Sequence, residues 1–235
     1  MNFIPHISLF IVTFACGAIS YMLQKKFDSG IKLFLSFSGA FLLATCVMHL
    51  LPELFEDGDS NIAPFILLGF FMQILIEYIS QGVEHGHIHK PENTATFPGL
   101  IFLGLCLHAF TEGLPLADLQ QDNLMSTPLY WGILLHKLPI AIVLVTLFTT
   151  YRVSHSTLLI SLAFFALLAP FGGIIGKGVA QLYGHDVINY FLAASTGIFL
   201  HISTVILFET SHNHRFNFLK LLFIIAGGML SFFLF

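Results

Sequence analysis

Charged side chains are scarce in this chain of 235 residues. Aspartate, glutamate, lysine and arginine make up 9% of the sequence, and 56% of the residues are hydrophobic. Soluble domains usually carry about 25% charged residues. The mean hydropathy is +0.87. This composition excludes an ordinary soluble domain and predicts a polytopic membrane protein.

Several familiar sequence signals are also missing. The N-terminus has no basic segment and no small-residue cleavage site, so we expect the first apolar run to be kept as a transmembrane helix. Cys16, Cys46 and Cys106 lie in apolar runs without C-x-x-C spacing, which argues against a thiolate metal site. The runs do not alternate as the strands of a membrane barrel do. No H-E-x-x-H motif of a zinc hydrolase occurs.

Apolar runs of about one bilayer's length recur along the whole chain. We therefore predict an all-α fold, an eight-transmembrane-helix bundle that forms one domain over residues 1–235. The predicted helices cover residues 3–23, 31–52, 62–82, 97–118, 127–149, 156–180, 189–208 and 218–235.

Lysine and arginine fall mostly on one side of the predicted bundle. Seven of the nine lie in or beside the connections between helices 1 and 2, 3 and 4, 5 and 6, and 7 and 8. By the positive-inside rule these connections face the cytoplasm, so both termini face out. The outward connections carry acids, which would raise the local concentration of cations. Ordinary solvated loop charges explain those acids equally well.

Two ionisable side chains, four residues apart, stand in the middle of the fourth run. His108 and Glu112 share a helix face, because four residues advance an α-helix by slightly more than one turn. In the fifth run, which returns across the bilayer, His136 falls at a similar depth and is followed by Lys137 and Pro139. An ionisable group at bilayer depth marks a functional site by default. Two imidazoles and one carboxylate suit zinc and tolerate iron, manganese or cadmium.

Other histidines and acids mark the two ends of the predicted bundle. His49 and Glu53 end the second helix at the outer side and form a candidate entrance for a metal. A candidate exit lies at the inner side, in and after helix 7 and in a His-bearing loop over residues 83–96. The exit candidates are His201, Glu209, His212, His214, His85, His87 and His89. Helix-end charges and incidental loop histidines are the alternative interpretation.

Taken in order, these motifs resemble those of the ZIP (Zrt/Irt-like protein) family, whose members transport zinc and related divalent metals. The family's fourth helix carries His-Asn/Ser-x-x-Glu-Gly, matched here by residues 108–113. Its fifth helix often carries His-Lys-x-Pro-Glu, matched by residues 136–139. Further likenesses lie in residues 49–53, 69–77 and 169–172. Together they cover essentially the whole chain.

Two departures separate this chain from the family pattern. Ala109 stands where the family usually has Asn or Ser, and Ile140 stands where the fifth helix usually places a metal-binding Glu. Many members hold two adjacent metal positions, whereas here we expect one, built on the two histidines and the carboxylate named above. We expect Lys137, whose ammonium would repel a cation, to turn away from the site toward Glu77.

The resemblance implies transmembrane transport of a divalent transition metal, above all zinc uptake into the cytoplasm across the plasma (inner) membrane. It implies a transporter and not an enzyme, with no cofactor apart from the transported metal. Its expected partners are divalent metal ions and the lipid bilayer, with a homodimer as an option and no nucleic acid. Two alternatives stay open. One is an intramembrane zinc-dependent hydrolase, and the other is a transport-deficient metal-binding relative, motivated by Ile140.

Overall fold

A computed structural model describes residues 3–23, 30–56, 60–85, 97–117, 127–184, 186–209 and 218–235. These residues form helices joined by turns, with no strand among them, which confirms the predicted all-α class. Except at the end of the fourth helix, the bounds of the observed helices differ from those of the predicted runs by at most three residues. The helices are α1 (Ile4–Met22), α2 (Ile31–Phe55), α3 (Ala63–Ser80), α4 (Gly99–Thr111), α5 (Pro128–Thr150), α6 (His155–Tyr183), α7 (Asp186–Glu209) and α8 (Phe218–Leu234).

Seven of the described helices, α1 to α7, are long and apolar enough to cross a bilayer when α4 is taken with the turn that follows it. Helix α8 has 17 residues. At a rise of 1.5 Å per residue it is about 26 Å long, slightly less than the hydrocarbon core of about 30 Å. The fold is therefore that of a multi-pass membrane protein, and the count of eight crossings stays a prediction.

Helix α5 lies at the centre of the bundle. Of its most apolar stretch, 78% of the residues are buried, compared with 22% for α3. Its buried residues occur all round the helix, as expected for a helix enclosed by protein. The exposed leucines, isoleucines and phenylalanines lie mostly on α1, α3, α6 and α8, where they suit contact with lipid. The most enclosed helix is therefore the one that carries His136.

Helices α3 and α7 cross in direct backbone contact. A Cβ atom added at Gly69 of α3 would lie 1.9 Å from the carbonyl oxygen of Ala194 on α7. A Cβ atom at Gly197 of α7 would lie 1.9 Å from the carbonyl oxygen of Ile66 on α3. Small residues at the crossing are what allow membrane helices to approach this closely. The crossing therefore depends on both glycines.

A second small-residue face lies on α6 and packs against the end of α4. A Cβ atom at Gly172 would lie 2.4 Å from the carbonyl oxygen of Phe110, and one at Gly176 would lie 2.3 Å from that of Leu114. In the structure this face is occupied by the chain's own α4 segment.

We predict that Gly69→Ala destabilises the protein, because the new methyl group would overlap the backbone of α7. Overpacking a tight site typically costs about 1–3 kcal/mol. The matched control is Gly228→Ala on α8, where an added Cβ would meet nothing within 4 Å. Thermal unfolding in detergent should show a lower midpoint for Gly69→Ala alone. Equal midpoints for the two variants would contradict the close crossing.

Candidate metal site

Three side chains of α4 and α5 converge inside the bundle. His108, Glu112 and His136 each offer a ligand atom, and these atoms lie within 4.8 Å of one another. All three side chains are at most 1% exposed. Within the described ranges, no other group of three or more His, Cys, Asp or Glu residues comes this close. The structure thus brings together the three residues that the sequence placed at one depth.

The spacing of these atoms suits a tetrahedral metal ion. Nε2 of His108 lies 3.4 Å from Oε2 of Glu112. Zinc binds nitrogen and oxygen at about 2.0–2.2 Å, which places two tetrahedral ligands about 3.4 Å apart. The rings of His108 and His136 stand almost perpendicular, at 84°, with centroids 5.6 Å apart. The cluster could therefore accept a metal ion after small side-chain movements.

Local sequence fixes the position of Glu112 at the end of α4. The α-helix ends at Thr111, and Leu114–Ala117 continue as a 3₁₀ turn. Pro115 has no N–H to donate to the carbonyl of Thr111. That carbonyl instead accepts a hydrogen bond from the hydroxyl of Ser195 on α7, at 3.2 Å. The helix end that carries the carboxylate is thereby tied to α7.

The position of Lys137 corrects an expectation from the sequence. Its ammonium is 1% exposed and forms an ion pair with Glu112, instead of pointing toward Glu77. It also lies 4.7 Å from the centre of the Phe165 ring, within reach of a cation–π contact. Glu77 lies 3.5 Å from His201 instead. The physical reason is that a buried ammonium needs a carboxylate, and the long lysine stem can reach the one at its own depth.

The ion pair leaves the cluster close to electrical neutrality. With both imidazoles neutral, the charge of Glu112 is balanced by that of Lys137. Ile140, which stands where the family usually has Glu, is 1% exposed and adds no charge. The site therefore has one carboxylate and carries its own positive group.

His49, one of the two residues of the predicted entrance, contacts α8. It lies in a π-helical turn, Cys46–Leu50, that interrupts α2 just before Pro52. Proline removes a backbone hydrogen bond, and a π turn accommodates such a break. His49 Nε2 lies 3.3 Å from the carbonyl oxygen of Ser231, and its ring packs edge-on against Phe235. The side chain therefore packs on α8.

Glu53 lies elsewhere, on an open polar cavity. It lines a cavity of about 300 Å³ together with Asp186 and Asn189 at the start of α7. His49 and Glu53 are four residues apart, and their described neighbours differ, since His49 contacts α8 whereas Glu53 lines this cavity.

Of the predicted exit residues, the structure describes the side chain of His201 alone. It is 7% exposed, and besides its contact with Glu77 it packs edge-on against Phe70, with ring centroids 4.9 Å apart. The other predicted exit side chains lie outside the described residues. These are Glu209, His212, His214, His85, His87 and His89.

Sequence reasoning missed a polar cluster at the far end of α3. Glu84 is fully buried and accepts hydrogen bonds from Gln73 and Ser80. The signal in the sequence was a polar stripe in an apolar helix. Gln73, Glu77 and Ser80 have the i, i+4, i+7 spacing that places side chains on one face.

Comparison with known families gives one match. The model of the ZIP zinc transporter family matches residues 80–235, two thirds of the chain, and so includes α4 to α8 and the whole cluster. No curated protein matches the chain. The predicted family is thereby confirmed. The chain is a multi-pass membrane protein that belongs to the ZIP zinc transporter family, whose members transport divalent metal ions.

Proposed function

We propose that this protein moves a divalent transition metal, zinc above all, into the cytoplasm through His108, Glu112 and His136. The observation that carries the proposal is the convergence of three ligand atoms within 4.8 Å, fully buried in a member of this family. Two imidazole nitrogens and one carboxylate oxygen form a typical zinc ligand set. Three protein ligands leave the fourth coordination position of the ion to water, so the ion is held less tightly than in a closed four-ligand site and can leave.

The orientation of the bundle follows from the charge distribution, and inward movement of the ion is part of this proposal. Eight crossings with both termini outside place the lysine- and arginine-bearing connections in the cytoplasm. In this orientation the cavity beside Glu53 opens outward, and the turn at residues 81–85 lies at the cytoplasmic end. We assign the protein to the plasma (inner) membrane, as one transporter domain over residues 1–235.

Lys137 acts in this proposal as a tethered counter-ion. Before cargo binds, its ammonium neutralises Glu112, and an arriving zinc ion competes with it for the same carboxylate. Two unit charges about 4 Å apart interact by about 4 kcal/mol at an effective dielectric constant of about 20. Lys137 therefore lowers the affinity for zinc, which favours release of the ion. Because Ile140 adds no second carboxylate, we propose that one ion binds at a time.

Zinc uptake into proteoliposomes tests the proposed function. Proteoliposomes that contain the purified protein should take up zinc, which a metal-sensitive dye inside the vesicles reports. His108→Ala should abolish this uptake because a ligand is lost. His155→Ala is the matched control, since His155 is an exposed residue at the start of α6. Unchanged uptake by the His108→Ala variant would contradict the assigned site. Folded wild-type protein without uptake would favour the transport-deficient alternative.

Substitution of Lys137 tests its role as a counter-ion. We predict that Lys137→Met binds zinc at least about tenfold more tightly, because the competing positive charge is gone. Without zinc the variant should be less stable, since Glu112 is left buried without its counter-charge, at a cost of about 3–5 kcal/mol. Titration calorimetry and thermal unfolding with and without zinc measure both effects. Lys32→Met, at an exposed position, is the control. Weaker zinc binding by the Lys137→Met variant would rule the role out.

A further inference from the structure

An apolar groove lies between α1 and α2. Its volume is about 660 Å³, within the range of about 300–1,000 Å³ that is usual for ligand pockets. Both helices pack on α5, and Leu138 and Ile142 of α5 also line the groove. Ile142 is 6% exposed, so these two residues form the floor. The groove therefore gives an apolar ligand access to the most enclosed helix of the bundle.

The described side chains that line the groove offer a ligand few polar atoms. None of them is charged, and Cys16 and Ser20 are the polar ones. The thiol of Cys16 donates to the carbonyl oxygen of Leu138 at 3.6 Å, and Ser20 is 5% exposed. Water finds few hydrogen-bond partners in such a space, whereas a hydrocarbon chain needs none. The lining therefore suits a hydrocarbon chain.

The length of the groove matches one leaflet of a bilayer. Along α1 the lining runs from Ile11 to Ser20, a rise of nine residues, which is about 14 Å at 1.5 Å per residue. Half of a hydrocarbon core of about 30 Å is about 15 Å. Ile11 lies near the middle of α1, and Ser20 lies near its C-terminal end. The groove thus spans the depth that a lipid acyl chain occupies in one leaflet.

Basic residues accompany the end of the groove at which α1 is connected to α2. The connection carries Lys25 and Lys26, and the exposed Lys32 follows in the first turn of α2. Asp28 is the acid of this segment, so three lysines and one aspartate give residues 23–32 a net charge of +2. Clusters of basic residues beside transmembrane helices attract the head groups of anionic lipids. The charge therefore complements a lipid phosphate at this end.

We propose that this groove binds one anionic phospholipid, with an acyl chain between α1 and α2 and its phosphate group at the three lysines. Binding depends on neither metal transport nor orientation. The assignment of this lipid to the cytoplasmic leaflet rests on the proposed function. A zwitterionic lipid fits the same groove but lacks the net negative charge that the lysines attract. The bound acyl chain contacts Leu138, the residue that follows Lys137 in α5.

Native mass spectrometry of the purified protein tests the charge of the ligand. Delipidated protein in detergent is titrated with phosphatidylglycerol, which is anionic, or with phosphatidylcholine of the same acyl chains. We expect one phosphatidylglycerol per chain, bound at least about tenfold more tightly than phosphatidylcholine. The variant Lys25→Gln/Lys26→Gln/Lys32→Gln should lose this preference. Equal affinities for the two lipids in the wild-type protein, or a preference that survives in this variant, would overturn the proposal.

A charge-matched control separates the three lysines from a general effect of positive charge. It removes three basic residues from the other connections on the same predicted side of the membrane, in the variant Lys90→Gln/Arg152→Gln/Arg215→Gln. This variant should keep the preference for phosphatidylglycerol. Loss of the preference here as well would assign it to the net charge of the protein and overturn the site.

Filling the groove tests its apolar part. Ala15 lines the groove, so the ring of Ala15→Phe would take the space of the acyl chain and should abolish binding of phosphatidylglycerol. The control is Ile7→Phe, at an exposed position of α1 outside the described lining, which should leave binding unchanged. Unchanged binding by the Ala15→Phe variant would overturn the proposal.

A photoreactive lipid locates the site in the wild-type protein, so the test stays decisive if a variant fails to fold. Phosphatidylglycerol with a diazirine in its acyl chain, added at one lipid per chain, should label peptides of α1, α2 and α5. An excess of plain phosphatidylglycerol should suppress this labelling, and the same excess of phosphatidylcholine should not. Labelling of the exposed apolar faces of α3 or α8 instead would overturn the proposal.

Discussion

The buried ion pair between Lys137 and Glu112 is the interaction on which the rest of the site depends. It joins the end of α4 to the middle of α5, and both side chains are at most 1% exposed. Loss of either partner leaves an uncompensated charge in the bundle. The same two helices present His108 and His136 to each other with ring centroids 5.6 Å apart. The Glu112 carboxylate is therefore both the structural partner of the Lys137 ammonium and a candidate ligand of the transported ion.

This ion pair also bears on the missing carboxylate of α5, where Ile140 stands in place of the Glu that is usual in the family. With Ile140 at the position of the usual Glu, the site holds one negative charge, and Lys137 balances it. Addition of a second divalent ion would leave a large net positive charge in a region of low dielectric constant. The proposal of a single, weakly held ion rests on this balance of charge.

Much of the fold could be predicted from the sequence, because the apolar runs match the thickness of a bilayer and because α4 and α5 are antiparallel. The same reasoning predicted which three side chains meet. It failed where it relied on ideal helix geometry. An angle of about 100° per residue does not predict the reach of a flexible lysine, and regular α-helical spacing does not predict the π turn at His49. Burial of Glu84 depends on the left-handed turn at Gln81 and Gly82, which hydropathy does not reveal.

The most direct test of the account is X-ray absorption at the zinc edge, on purified protein loaded with one zinc per chain. Replacing His85, His87 and His89 by alanine removes competing loop ligands. Coordination by α4 and α5 predicts two imidazole nitrogens and one carboxylate oxygen at about 2.0–2.2 Å, and the loss of one imidazole on His136→Ala. A zinc environment that is unchanged by His136→Ala would show that α4 and α5 do not hold the metal together.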